Sequence, residues 1–353
     1  MKEDFTDLTE KLSSFTPLGQ SLEGGGDTDA WAKELVLSVS KDCEALKGAT
    51  AELIKVKWIS HEHLKDLFLC KFQYDDVKYV IKVFDNSKVV DKESLVLEAA
   101  KGKIKSEKFP TEELVFSSDK CIIIFAEEGC VANKFQASEI DYFSGQFGHS
   151  LSLVHSIKVK KSEFGTFRDL FLTVDHQRFK QVTKAIFDSI DSKLSSDKVL
   201  CHGDVKAKNL IIGPKGGEPQ DMLVKFLNFD LAVVDRPEIE CVILLQELQG
   251  VNEKVFFNWY CQGDKKKAAA LGAKCQSIKF ECLAMMFIAK WHEVLTSLSA
   301  ESEGVGAYAA IDSFLNIGTR IREEFPKEEK KIKLDFFLKD LIKKIKIDDT
   351  TNI

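Results

Sequence analysis

The chain has 353 residues, 44% hydrophobic and 30% charged, with 26 phenylalanines available for a core, so it is globular and large enough for one big domain or two lobes. Its 50 basic and 56 acidic residues are well mixed and leave a net charge of −6, which excludes the basic footprint of a nucleic-acid binder and gives no basic patch for a membrane surface. Nine scattered cysteines without a C-x-x-C pair, an N-terminus (MKEDFTDLTEKL) lacking an apolar signal core, and apolar runs far too short for a membrane span point to a cytoplasmic protein with reduced thiols.

Residues 1–28, with Gly24-Gly25-Gly26-Asp27 near their end and little periodicity, read as an N-terminal arm. Trp31, Leu35, Val36 and Val39 then recur at helical spacing between Asp29 and Leu46. The period changes next. Ile54, Val56 and Trp58 alternate within Leu53–Ser60, Leu67–Phe72 follows, and a Tyr74-Asp75-Asp76 turn leads into Val77–Phe84, three strands of an antiparallel meander. Lys82 stands inside the third strand, either as an edge lysine facing water or as a cation aimed into a cleft. His61 and His63 flank Glu62, but with no third ligand nearby the triplet reads as surface or turn histidines rather than a zinc site. Lys88–Lys105 returns to helical spacing and carries Glu93 and Glu98. After Pro110, Glu113–Phe116 and Cys121–Phe125 are two more strands around a Ser117-Ser118-Asp119 turn, and Ala126-Glu127-Glu128-Gly129 breaks the pattern.

From about residue 138 the chain is mostly helical, which sets a first lobe at 29–130 and a second at 131–353. Ile140, Phe143, Phe147, Leu151 and Val154 recur at three and four from Ser138 to His155, and Phe179, Val182, Ile186 and Ile190 do the same within Asp175–Leu194. Helices resume at Glu238, with Val242, Leu244, Leu248, Leu283, Phe287 and Trp291 among their core positions. The Lys-rich stretch Lys327–Lys346 reads as a solvated helix face before it reads as a docking surface.

Between these helical stretches lies Val199–Asp235, where the apolar runs Leu210–Ile212 and Met222–Leu227 flank a Pro214-Lys215-Gly216-Gly217 turn and predict a hairpin. Folding it brings His202-Gly203-Asp204 and Asn209 beside Asn228-Phe229-Asp230. Two carboxylates and an amide in one cleft suit a metal–phosphate. Phosphoryl transfer needs cations on the developing charge, hard oxygen ligands for Mg²⁺, and a carboxylate to orient the acceptor hydroxyl. Asp204 is the candidate for the acceptor, Asn209 for the metal, and Asn228 or Asp230 for the second ligand position. Lys82 could neutralise nucleotide phosphates, held extended by Glu93 or Glu98.

His202-Gly203-Asp204 with Asn209 matches the HGDxxxxN catalytic loop of the aminoglycoside phosphotransferase and choline kinase superfamily, and is most similar to its CHK kinase-like (ecdysteroid-kinase-like) branch. Val80-Ile81-Lys82 resembles the lysine-bearing strand of that fold and Lys92-Glu93 its partner helix. Leu153-Val154-His155 is similar to the end of the helix before the catalytic loop, and Cys121–Glu128 to the hinge strand, where backbone groups around Glu127 and Glu128 would take the adenine. The resemblance spans roughly residues 50 to 250 in order. It implies an α+β, two-lobed protein-kinase-like fold, with a small antiparallel sheet lobe and a larger helical lobe. It also implies ATP- and Mg²⁺-dependent phosphorylation of a small-molecule alcohol. The catalytic set would be Asp204, Lys206 beside the transferring phosphate, and His202. Lys82 and Glu93 would serve the nucleotide, and Asn209, Asn228 and Asp230 the metal.

Three departures qualify the resemblance. Asn228-Phe229-Asp230 stands where the family carries Asp-Phe-(Gln/Glu/Gly), so an amide replaces the usual metal carboxylate. No glycine lies between Ile54 and Phe72 to make a flexible phosphate-covering loop. Glu240 stands for the family's Asp that braces the catalytic loop. Two readings follow, a working small-molecule kinase and a pseudokinase that binds nucleotide, small molecule or partner protein. A third, a helical interaction protein docking through its C-terminal half, rests on the Lys-rich tail and would fall if deletion of residues 327–353 kept all partner binding.

Overall fold

The computed structural model describes residues 52–56, 64–71, 78–84, 87–101, 111–117, 121–125, 130–131, 140–172, 177–195, 197–213, 223–248, 250–299, 305–328 and 332. The arm, the helix expected over Asp29–Leu46, the His61-Glu62-His63 triplet, Glu127, Glu128 and most of the Lys-rich tail lie outside the described residues.

β1 (Glu52–Val56), β2 (Leu64–Lys71) and β3 (Lys78–Phe84) form the expected meander, followed by α1 (Ser87–Lys101), β4 (Leu114–Ser117) and β5 (Cys121–Phe125). The five strands make one antiparallel sheet in the order β1-β2-β3-β5-β4. β3 is therefore interior: Lys82 sits opposite Leu67 on one side and Ile122 on the other. Lys82 is 2% exposed, which settles the edge-or-cleft alternative in favour of a cation turned inward. α1 packs through a stripe at three- and four-residue spacing, Val90, Glu93, Leu97 and Ala100, all at most 1% exposed. Three of the four are apolar, and Glu93 is the exception that needs a partner.

The chain continues through β6 (Cys130–Val131), α2 (Ile140–Ser156), α3 (Phe167–Leu172), α4 (Gln177–Lys193), β7 (Val199–Cys201), β8 (Leu210–Gly213), β9 (Leu223–Phe226) and β10 (Val233–Asp235). β8 and β9 pair as the hairpin, Leu210 opposite Phe226 and Gly213 opposite Leu223, with β6 on the far edge of β8. β7 and β10 pair separately, so the residues after Cys201 and before Val233 are brought to the base of the hairpin. A single parallel bridge from Thr111 to Phe226 ties the segment before β4 to this second sheet.

Helices α5 (Pro237–Glu247), α6 (Glu253–Tyr260), α7 (Lys265–Ser277), α8 (Lys279–Ser299) and α9 (Val305–Glu324) complete the described chain. The starts of α6 and α7 are set by side-chain caps: Asn252 accepts from the backbone N–H groups of Lys254 and Val255, and Asp264 from those of Lys266 and Lys267. α2 and α6 pack closely because Gly148 has no side chain; a Cβ there would meet the Phe256 carbonyl oxygen at 2.2 Å. The helical core continues through Phe287 and Trp291 of α8 on Phe314 of α9, with ring centroids 4.3 and 5.2 Å apart. Among the described residues no helix is long and apolar enough to cross a membrane.

Candidate active site

The loop after β7 is fixed by its own backbone and by a carboxylate beneath it. Gly203 has φ +88°, and a Cβ would lie 2.0 Å from the Leu231 carbonyl oxygen, so the turn admits only glycine. Beneath it, Glu240 of α5 is fully buried and accepts the backbone N–H of His202 through Oε2 at 3.0 Å and that of Gly203 through Oε1 at 2.8 Å. Glu240 Oε2 also lies 2.9 Å from His155 Nε2, and His155 Nδ1 is 2.6 Å from the Tyr260 hydroxyl. The position suspected as the loop's brace thus carries three hydrogen bonds. His155, Cys201 and Glu240 offer ligand atoms within 4.8 Å of one another, but the histidine and carboxylate atoms are spent on these bonds and burial pushes the Cys201 thiol well above its ordinary range.

His202 faces inward. Its Nε2 donates to the Leu227 carbonyl at 2.7 Å and its Nδ1 accepts the Asp204 N–H at 3.2 Å, a pattern that fixes a neutral imidazole with its proton on Nε2. The ring packs on Phe229 and Phe226, with centroids 4.6 and 5.7 Å away. With no exposed surface and both nitrogens engaged, His202 stands as a brace.

Asp204 is the group this scaffold presents. Asn209 Nδ2 donates both to the Asp204 carbonyl and to its Oδ2, each at 2.8 Å, and Lys206 Nζ lies 3.2 Å from Oδ1. The Asp204 carboxylate raises the Lys206 ammonium further above its ordinary range, keeping it a cation beside the acid. Glu247 at the end of α5 and Glu293 of α8 also act electrostatically on Lys206, and burial raises Glu247 above the usual carboxylate range.

Asn228 occupies the left-handed region, φ 64° and ψ 78°, which asparagine tolerates better than most residues. Its Nδ2 donates to Asn209 Oδ1 at 3.0 Å. A cation shared by the two needs both amide oxygens facing it, which a turn of the Asn228 side-chain amide would supply. Asp230, 3% exposed in the short turn after Asn228, interacts electrostatically with Lys92 and Glu93 of α1.

The lysine end is more crowded than the sequence predicts. Lys82 Nζ lies 2.7 Å from Glu93 Oε1, while Glu98 faces solvent, so the helix partner is Glu93. A second carboxylate, absent from the sequence-based expectation, lies closer still: Glu112 Oε2 is 2.6 Å from Lys82 Nζ and accepts the Asn228 backbone N–H at 3.2 Å. Burial alone would lower the Lys82 ammonium, but Glu112 and Glu93 outweigh it and the net direction is up. Burial pushes Glu93 up to about 7 against the pull of Lys82, with the nearby charges of Glu112 and Asp230 adding to the rise.

No family model and no curated protein matches the sequence. Solved structures do match the fold. An ethanolamine kinase of Plasmodium vivax superposes with a TM-score of 0.60 at 14% identity, covering 89% of this chain and 94% of that one. The streptomycin–ATP ternary complex of APH(2")-IIa gives 0.52 at 16% identity, covering 84% and 99%. The macrolide 2'-phosphotransferase MphH of Brachybacterium faecium gives 0.50 at 12% identity, covering 80% and 98%. The chain shares with these structures an α+β, kinase-like fold.

Proposed function

We propose that the protein is a cytoplasmic phosphotransferase that moves the terminal phosphoryl group of ATP to a hydroxyl of a small-molecule alcohol. The observation that carries this reading is Asp204, a carboxylate held between Asn209 Nδ2 and Lys206 Nζ on a loop braced by Glu240. A fixed carboxylate beside a fixed cation is what an acceptor hydroxyl and a migrating phosphoryl group require. Asp204 orients the hydroxyl and takes its proton, Lys206 meets the charge on the transferring phosphate, and Lys82, extended by Glu93, takes the nucleotide's other phosphates. The segment of Glu127 and Glu128 receives the base. Asn209 and Asn228 would hold the Mg²⁺ through their amide oxygens once the Asn228 amide is turned over, so that Oδ1 takes the place of the Nδ2 that now bonds to Asn209. Asp204 and Asp230 are the remaining carboxylates on either side of them.

That same amide pair supports a second reading, a nucleotide-binding protein without turnover. The two separate in one experiment. The full chain is incubated with ATP, with and without Mg²⁺, and a panel of small alcohols, while ADP formation and the melting temperature are followed. The kinase reading expects ADP formation that depends on an alcohol and is abolished in Asp204→Asn, with the ATP-induced rise in melting temperature retained. An ATP-induced rise with no alcohol-dependent ADP formation overturns it in favour of the second reading.

A further inference from the structure

Lys82 is the residue to which nucleotide phosphate is assigned above, yet its side chain is only 3% exposed. Two carboxylates hold it, Glu93 from α1 at 2.7 Å and Glu112 from the segment before β4 at 2.6 Å, themselves 1% and 4% exposed. One lysine stands among three carboxylates, Glu93, Glu112 and Asp230, so the cluster stays net negative even when Glu93 holds its proton. Glu93 alone would neutralise and extend the lysine. Glu112 does something different, because the Oε2 that takes Lys82 also takes the backbone N–H of Asn228, 116 residues further along the chain. It fastens the lysine to the loop that a nucleotide has to enter. The Thr111–Phe226 bridge places Glu112 there, so its position comes from backbone pairing and not from a flexible reach.

We propose that Glu112 guards Lys82: the clamp is a closed state of the site, and a nucleotide's phosphates engage Lys82 as Glu112 lets it go. The inference rests on the reading that Lys82 receives phosphate. A phosphate oxygen and a carboxylate oxygen ask for the same ammonium hydrogens, and an anion entering a cluster already net negative is repelled until one carboxylate withdraws. A neutral group at 112 that still accepts the Asn228 N–H would keep the loop in place and free the cation.

Glu112→Gln is that substitution, since its amide oxygen can serve Asn228 while its charge is gone. The full-length protein is titrated calorimetrically with ATP, with and without Mg²⁺, and with inorganic tripolyphosphate, which has no base to bind. Glu112→Gln is expected to bind both ligands about tenfold or more tightly than wild type, whereas Lys82→Ala loses tripolyphosphate binding. Melting curves establish that each variant is folded; if Glu112→Gln is not, Glu112→Asp, which retracts the carboxylate by one methylene, is expected to tighten binding in the same direction. Unchanged or weaker binding in the folded variant, with Lys82→Ala still defective, overturns the guard and leaves the phosphate role of Lys82 standing. Lys82→Ala binding tripolyphosphate as wild type does overturns both.

Discussion

The side-chain amide of Asn228 donates to Asn209 Oδ1 at 3.0 Å, and Asn209 in turn donates to Asp204 Oδ2 at 2.8 Å. The hydrogen bonds run one way, from the position where the resemblance expects a carboxylate to the residue proposed to meet the acceptor. An amide can begin such a chain because it has hydrogens to give; an aspartate cannot.

Asn228→Asp is therefore expected to have opposite effects with and without metal. In the absence of divalent cation it sets a carboxylate oxygen against Asn209 Oδ1 and against the Glu112 charge nearby, and should lower stability by about 1–3 kcal/mol. With Mg²⁺ present two oxygens face a cation, and stability and nucleotide binding should recover beyond wild type. Urea unfolding of both proteins with EDTA and with Mg²⁺ measures this. If Asn228→Asp leaves Mg²⁺-dependent nucleotide binding unchanged while Asp230→Asn abolishes it, Asp230 holds the metal role.

Glu93 gives a pH dependence whose sign is fixed. Its carboxyl titrates near 7 in the folded chain against an ordinary value of 4.5, so the native state holds the proton more tightly than the unfolded one. The stability linked to it is fully present below about 4.5 and is lost as pH rises toward 7, in a cluster that also contains Lys82, Glu112 and Asp230. Denaturation midpoints measured from pH 5 to 8 should fall across that window in wild type. In Glu93→Gln, which does not titrate, the fall should be shallower; an equal slope in the two proteins would contradict the assignment.

Gly203→Ala tests the loop's geometry by itself. At φ +88° and with the Leu231 carbonyl 2.0 Å from the new Cβ, the backbone must move, at a cost of roughly 3 kcal/mol or more. Because His202 N and Gly203 N both rest on Glu240, the shift should also displace Asp204. Loss of phosphoryl transfer together with a depressed melting temperature is the expected result, and a fully stable Gly203→Ala protein would show that the turn is not constrained as described.

How much of this could be read beforehand depends on how local each feature is. The hairpin is a local feature, so alternation and turn chemistry were enough to bring Asn209 beside Asn228. Glu93 was legible as one of two acids on a helix, and the burial stripe through Val90 and Leu97 decides between it and Glu98. Glu112 was not legible. It stands 30 residues from Lys82 and 116 from Asn228, beside a second glutamate, Glu113, that faces solvent. Only the pairing of Thr111 with Phe226 distinguishes the two. The division of the C-terminal helices lay between these cases, because Asn252 and Asp264 are ordinary N-cap residues whose role becomes evident once helix ends are sought at them.

The brace under the catalytic loop also makes the loop depend on a distant part of the chain. Glu240 holds the backbone ahead of Asp204, His155 is bonded to Glu240, and the Tyr260 hydroxyl at the far end of α6 is bonded to His155. Removing that one oxygen, as Tyr260→Phe does, leaves the Nδ1 of His155 buried without its partner and the ring held by Glu240 alone among these bonds. The alignment of Asp204 is thus inherited in part from an aromatic side chain 56 positions later, and sequence drift in α6 is answerable to the role proposed for a carboxylate it never touches.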